Sequence, residues 1–86
     1  MSAPSLDAAR VALRAALDEL ARAHRDAAGV CAVYANALAL GDPTESVRSE
    51  RLASRKRLLC AEEAFRVARR ALDTAEAHAR LSGDLA

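Results

Sequence analysis

Residues that interrupt helices are scarce in this sequence, which has three Gly and two Pro among 86 residues. Aromatic residues are scarcer still, with one Phe, one Tyr and no Trp. Alanine is abundant instead, at 23 residues, together with Leu, Arg and Glu. Because this mixture favours helix and leaves long segments uninterrupted, it is typical of long helices or coiled coils.

Other scarcities narrow the class of protein. Two Cys make no disulfide framework, and without a secretory signal peptide we expect a cytoplasmic protein. The longest apolar stretch, residues 27–40, falls short of the ~18 residues that span a bilayer. A net charge of +1 gives no overall field toward nucleic acid or an anionic membrane. We therefore expect no membrane span, and we assign no cofactor.

One strong turn signal divides the chain. Gly41 suits the end of a first helix, Asp42 the N-cap of a second, and Pro43 its first helical position, with Glu45 completing a capping box. Ser5 is the expected N-cap of the first helix.

These signals predict one all-α domain over residues 1–86. After a disordered lead at residues 2–5, we expect a helix over about 5–40, a turn at 41–43 and a helix over about 43–82. The two long helices would be antiparallel neighbours because the connection is short.

Small residues recur every seven positions in both predicted helices. With Asp42 at the centre of the turn, residues whose numbers sum to about 84 lie at the same level. The two columns then face each other: Ala9, Ala16, Ala23, Val30 and Ala37 in the first helix, and Val47, Ser54, Ala61, Ala68 and Ala75 in the second. This register predicts an alanine-rich coiled-coil seam, with axes at or below the usual 8 to 10 Å.

The two helices are mismatched near the turn. Residues 27–40 are apolar on every side except at Asn36, whereas residues 44–57 opposite are mostly charged. A helix that is apolar all round must be covered all round, so a partner is required. The predicted protein interface comprises Ala28, Ala32, Val33, Ala35, Asn36, Ala39, Leu40, Leu52 and Leu59. Asn36 would fix its register, as single polar residues do in coiled coils.

A second copy is the favoured partner, because a domain of this size hides only about 60% of its unfolded surface. Two hairpins would then form a four-helix bundle. The alternative partner is an amphipathic helix of another protein, as in helix-in-groove binders and secretion chaperones. Either way, the predicted function is non-enzymatic: an adaptor, assembly factor or chaperone-like subunit.

A basic segment supports a different function. Five cations lie within ten residues, with Glu50 the only acid among them: Arg48, Arg51, Arg55, Lys56 and Arg57. Such a face would contact phosphates, and the molecule would resemble in shape the Rop-like hairpin dimers that bind paired RNA loops. Acids elsewhere on the same helix and the lack of interleaved aromatics weigh against nucleic acid.

Enzyme and metal sites are not expected. The order of Leu17-Asp18-Glu19, Arg25, Pro43 and Glu45 to Arg48 resembles that of all-helical chorismate mutases, but Asn36 replaces a required lysine and Ser49 a required glutamate. His24, Cys31 and Cys60 lack the close spacing of a zinc site. We expect buried free thiols and a partly buried structural histidine instead.

Overall fold

The chain folds into two long antiparallel helices. A computed structural model, which describes residues 5–83, contains α1 (Leu6–Leu40) and α2 (Glu45–Leu81). They pack along nearly their full length into an elongated hairpin of 63 × 22 × 13 Å. The predicted all-α hairpin is confirmed; the expected disordered lead falls, apart from Ser5, outside the described residues.

The first helix begins and ends as the sequence predicts. The Ser5 hydroxyl accepts a hydrogen bond from the Ala8 N–H at 3.1 Å, and Asp7 lies in the first turn, where the helix dipole favours a negative charge. Gly41 follows the last helical residue with φ of 141°, a conformation that side chains disfavour. Its N–H donates to the Leu38 carbonyl at 3.3 Å.

The second helix begins two residues later than predicted. Thr44 is the N-cap, and its Oγ1 accepts from the Val47 N–H at 3.3 Å. The predicted roles of Asp42 as the cap and Pro43 as the first helical residue are wrong. Pro43 is buried in the turn and Thr44 is extended, because the chain must cross from one helix axis to the other before α2 can start.

Small residues form the contact between the helices, as the heptad columns predict. The buried residues are Ala9 and Ala23 on α1, and Ser54, Ala61, Ala68, Ala75 and Ala79 on α2. The larger neighbours in the flanking columns are only half-buried: Leu6, Leu13, Leu20, Leu58, Phe65 and Leu72. The seam therefore brings the helices close together but covers little apolar surface.

Within residues 5–83 no large side chain is fully buried. Nine large apolar side chains are exposed instead: Val11, Leu17, Val33, Leu38, Leu40, Leu52, Leu59, Val67 and Leu81. Neither described helix has the length and apolar content needed to cross a membrane.

Candidate protein-interaction surface

The apolar half of α1 near the turn remains uncovered. At about 100° per residue, Ala28, Ala32, Ala35 and Ala39 point away from α2, and all four are exposed. Val33 and Leu40 lie along one edge of this surface, and Leu40 is 84% exposed. α2 thus covers only the seam side of this segment, as its charged composition predicts.

Asn36 lies on the same edge as Val33 and Leu40, three or four residues from each, and is exposed. Its amide therefore reaches solvent in the single chain. The role of Asn36 in fixing an interface register stays a prediction.

The predicted interface residues on α2 lie elsewhere. Leu52 and Leu59 are exposed and line, with Ser49 and Lys56, a shallow depression formed by α2 alone. Each lies roughly 140 to 160° around the helix from the seam, so they face away from α1. The structure therefore does not bring them together with the α1 alanines, and the nine predicted residues occupy two separate surfaces.

A polar cluster joins the helices beside the seam. The Ser54 hydroxyl, 3% exposed, donates to the Asp26 carboxylate at 3.1 Å, and Arg57 donates to the same carboxylate oxygen. The cluster satisfies a hydroxyl buried in the alanine seam, which would otherwise destabilise the fold. Sequence reasoning missed it, although the sum of about 84 places Asp26 at the level of Leu58, beside Arg57.

Tyr34 is half-buried at the seam. The Arg51 guanidinium lies over the ring, 4.5 Å from its centroid. This cation–π contact holds Arg51 against α1.

The five cations of the basic segment do not share one face. Arg48, Arg51 and Arg55 recur at spacings of three and four and lie on one side of the hairpin, where Arg51 and Arg55 line a hollow with Cys31. Arg57 lies on the other side, beside Asp26. Lys56 points outward with Leu52 and Leu59. The segment 55–57 spans about 200° of the helix, so its cations diverge.

Both cysteines are free and exposed, and His24 is exposed as well. The prediction that these side chains are buried is wrong, because so narrow a seam covers only the heptad columns and their immediate flanks. Between Ser5 and Gly83 no three His, Cys, Asp or Glu side chains are grouped to hold a metal ion.

A second apolar surface, which the sequence reasoning missed, lies on the half of the hairpin away from the turn. It is a shallow open groove between the helices, lined by Ala12, Ala15 and Ala16 of α1 and by Cys60, Ala64, Val67, Ala68 and Ala71 of α2, with Glu63 at its rim. Its signal in the sequence is the spacing of three and four residues from Cys60 to Ala71. Such spacing marks one helix face.

The total exposed surface is large for the chain's mass. The chain exposes 6394 Å², whereas a compact monomer of 9.1 kDa exposes about 4,900 Å². The excess of this one chain, about 1,500 Å², is nearly twice the roughly 800 Å² that each partner buries in a standard protein interface.

Comparison of the chain with protein-family models, with curated proteins and with solved structures gave no match. Any assignment of function therefore depends on the surfaces described above.

Proposed function

We propose that the chain is a non-enzymatic protein-interaction module, acting as an adaptor, assembly factor or chaperone-like subunit. One observation carries the proposal: the seam buries Ala and Ser, while nine large apolar side chains among the described residues are exposed. Exposed apolar surface of this extent is typical of proteins that bind other proteins. The apolar segment of α1 near the turn is the main contact.

A second copy is the simplest partner, giving a homodimeric four-helix bundle, since it would remove the excess surface of both chains at once. An amphipathic helix of another protein is the alternative occupant. Two exposed free thiols suit a reducing compartment, so we also propose a cytoplasmic location.

Site-specific photo-crosslinking in the native host tests the interaction surface. A photoreactive residue at Val33 or Leu40 is expected to give one discrete covalent adduct, of twice the chain's mass for a second copy and of another mass for a different partner. Asp73, exposed on the outer side of α2, is the matched control position and should give none. Diffuse labelling that is equal at all three positions would contradict the proposal.

A second candidate function, binding of structured RNA or duplex DNA in the manner of Rop-like dimers, is favoured by the stripe of Arg48, Arg51 and Arg55. Three phosphate contacts would weaken duplex binding about 40-fold between 50 and 200 mM salt. Fluorescence anisotropy with a paired RNA stem-loop and a DNA duplex checks this. If neither probe binds at low salt, nucleic acid is not a ligand.

A further inference from the structure

We propose that a second copy of this chain packs antiparallel across the face that carries the groove, with Cys60 next to the twofold axis. This inference rests on the proposed function, whose partner it specifies. The groove face runs along α1 from Ala12 through Arg22 to Asn36, and along α2 from Arg57 through Cys60 to Ala71.

The two sides of the hairpin differ in charge, which identifies the face that can be buried. On the groove face, the column of α2 residues just before the seam positions is uncharged: Ala53, Cys60, Val67 and Thr74. The equivalent column on the opposite side is charged at every heptad: Arg48, Arg55, Glu62, Arg69 and Glu76. Because an interface core disfavours charged residues, this uncharged column lies on the side that a second copy covers. The groove face does carry Glu19, Arg22, Asp26 and Arg57, and these are paired within the chain.

Overlap of the two hairpins sets the register. Full overlap places the twofold axis at mid-length, near the level of His24 and Cys60, with the two turns at opposite ends. Residues of α1 then lie opposite residues of the second copy when their numbers sum to about 48, and residues of α2 when they sum to about 120. Cys60 consequently lies beside Cys60 of the second copy.

Side-chain size is complementary in this antiparallel register. Val33 lies opposite Ala15 of the second copy, and Leu40 lies opposite Ala8, so large side chains from the turn half meet the small residues of the other half. A parallel arrangement would set two grooves of small residues against each other and leave them underfilled. Gaps of that kind weaken packing.

Charge is complementary as well, although charge was not used to place the axis. Arg22 lies opposite Asp26 of the second copy, and Arg57 lies opposite Glu63 of the second copy. Within one chain, Glu19 pairs with Arg22 and Asp26 with Arg57. The centre of the interface therefore holds charges of alternating sign, which favours one register and opposes shifted ones.

The available area is sufficient for a stable dimer. A face of 63 × 22 Å buries on the order of 1,000 Å² per chain. This exceeds the roughly 800 Å² per partner of a standard interface and removes most of the excess surface of the single chain.

Cross-linking with a short bis-maleimide tests the position of the axis. The Cys31→Ser variant, which retains Cys60, is expected to convert largely to a covalent dimer. The Cys60→Ser variant should stay uncross-linked, because the two copies' Cys31 residues would lie about 20 Å apart along the axis and on the uncovered side. Linkage through Cys31 alone, or through neither cysteine in a protein that light scattering shows to be dimeric, would overturn the register.

A mixing experiment tests the antiparallel direction. In a Cys31→Ser, Cys60→Ser background, Ala12→Cys and Asn36→Cys chains are expected to cross-link to each other when mixed, since 12 and 36 sum to 48. Neither chain should cross-link to itself. Failure of the mixed chains to cross-link in a dimeric protein would overturn the antiparallel direction.

The groove itself is tested by a pair of charge substitutions at sites of equal exposure. Val67 and Leu59 are each 54% exposed on α2, but only Val67 lines the groove. Val67→Glu is expected to raise the dimer dissociation constant on the order of 100-fold by burying an unpaired carboxylate, with Leu59→Glu close to the unmodified protein. If Leu59→Glu alone dissociates the dimer, the interface lies on the outer side of α2.

Failure of this inference and failure of the proposed function are distinguishable. An unmodified protein that stays at 9.1 kDa in light scattering overturns the second copy as partner. A discrete adduct of another mass at Val33 or Leu40 would then retain a protein-binding function with a different partner. If the protein is monomeric and no discrete adduct forms at either position, both the proposed function and this inference are wrong.

Discussion

Alanine sets the distance between the two helices. Ala23 on α1 is 1% exposed, and Ala61 lies at the same level on α2 and is also buried. Neither side chain is large enough to hold the backbones apart, so the helices approach closely along the seam. The close approach leaves the flanking Leu and Phe side chains half-covered, because they extend past the partner helix instead of between the two.

Substitution of a seam alanine by a larger residue should destabilise the hairpin. Ala23→Leu is expected to lower the free energy of unfolding by about 1 to 3 kcal/mol, because the added methyl groups have no space. Urea denaturation measures the change. Ala21→Leu is the control, two residues away and exposed, and should change stability by less than about 0.5 kcal/mol. A neutral or stabilising Ala23→Leu would refute the close-packed seam.

Gly29 is the one glycine inside a described helix, and nothing lies within 4 Å of the Cβ that alanine would add there. Gly29→Ala is therefore expected to raise the free energy of unfolding by about 1 kcal/mol, through the better helix propensity of alanine. The same denaturation experiment checks it. A loss of stability would instead show that another chain's backbone packs against this position.

At the scale of the helices, the start of α2 depends on Thr44. Thr44→Ala should lower the free energy of unfolding by about 1 kcal/mol, because it removes the acceptor for the Val47 N–H. Asp42→Ala, at the cap position that the sequence favours, should change stability by less than about 0.5 kcal/mol. Thermal or urea denaturation of the two variants distinguishes the caps. If Asp42→Ala lost more stability than Thr44→Ala, Asp42 would be the N-cap.

Sequence reasoning predicted the features that follow from periodicity. The seven-residue recurrence from Ala9 to Ala37 and from Val47 to Ala75 placed the seam, and the Gly41 turn placed the helix ends to within about two residues. Both signals are local or strictly periodic, so one sequence suffices to find them.

Features that depend on the geometry between helices were missed. Asp26 was not expected to accept hydrogen bonds from α2, and the exposure of Cys31 and Cys60 depends on how narrow the seam is. Leu52 and Leu59 are predicted to extend the α1 surface because they lie off the alanine seam, but a position off the seam does not specify the side of the helix. The groove near Val67 was overlooked because it needs both helices in place.

The molecule as a whole is elongated instead of compact. Its radius of gyration is 18.8 Å, whereas a compact domain of 86 residues has about 12 Å. Helices in proteins depend on packing for most of their stability, and here the packing is one seam of small residues. A second layer of helices would cover the exposed apolar side chains and supply the missing core.

The central claim, that this hairpin is half of an assembly, is tested most directly by light scattering combined with thermal denaturation over a range of concentrations. We expect a species of about 18 kDa, twice the 9.1 kDa chain, with a melting temperature that rises with protein concentration. A single 9.1 kDa species that unfolds cooperatively at a temperature independent of concentration would contradict the claim.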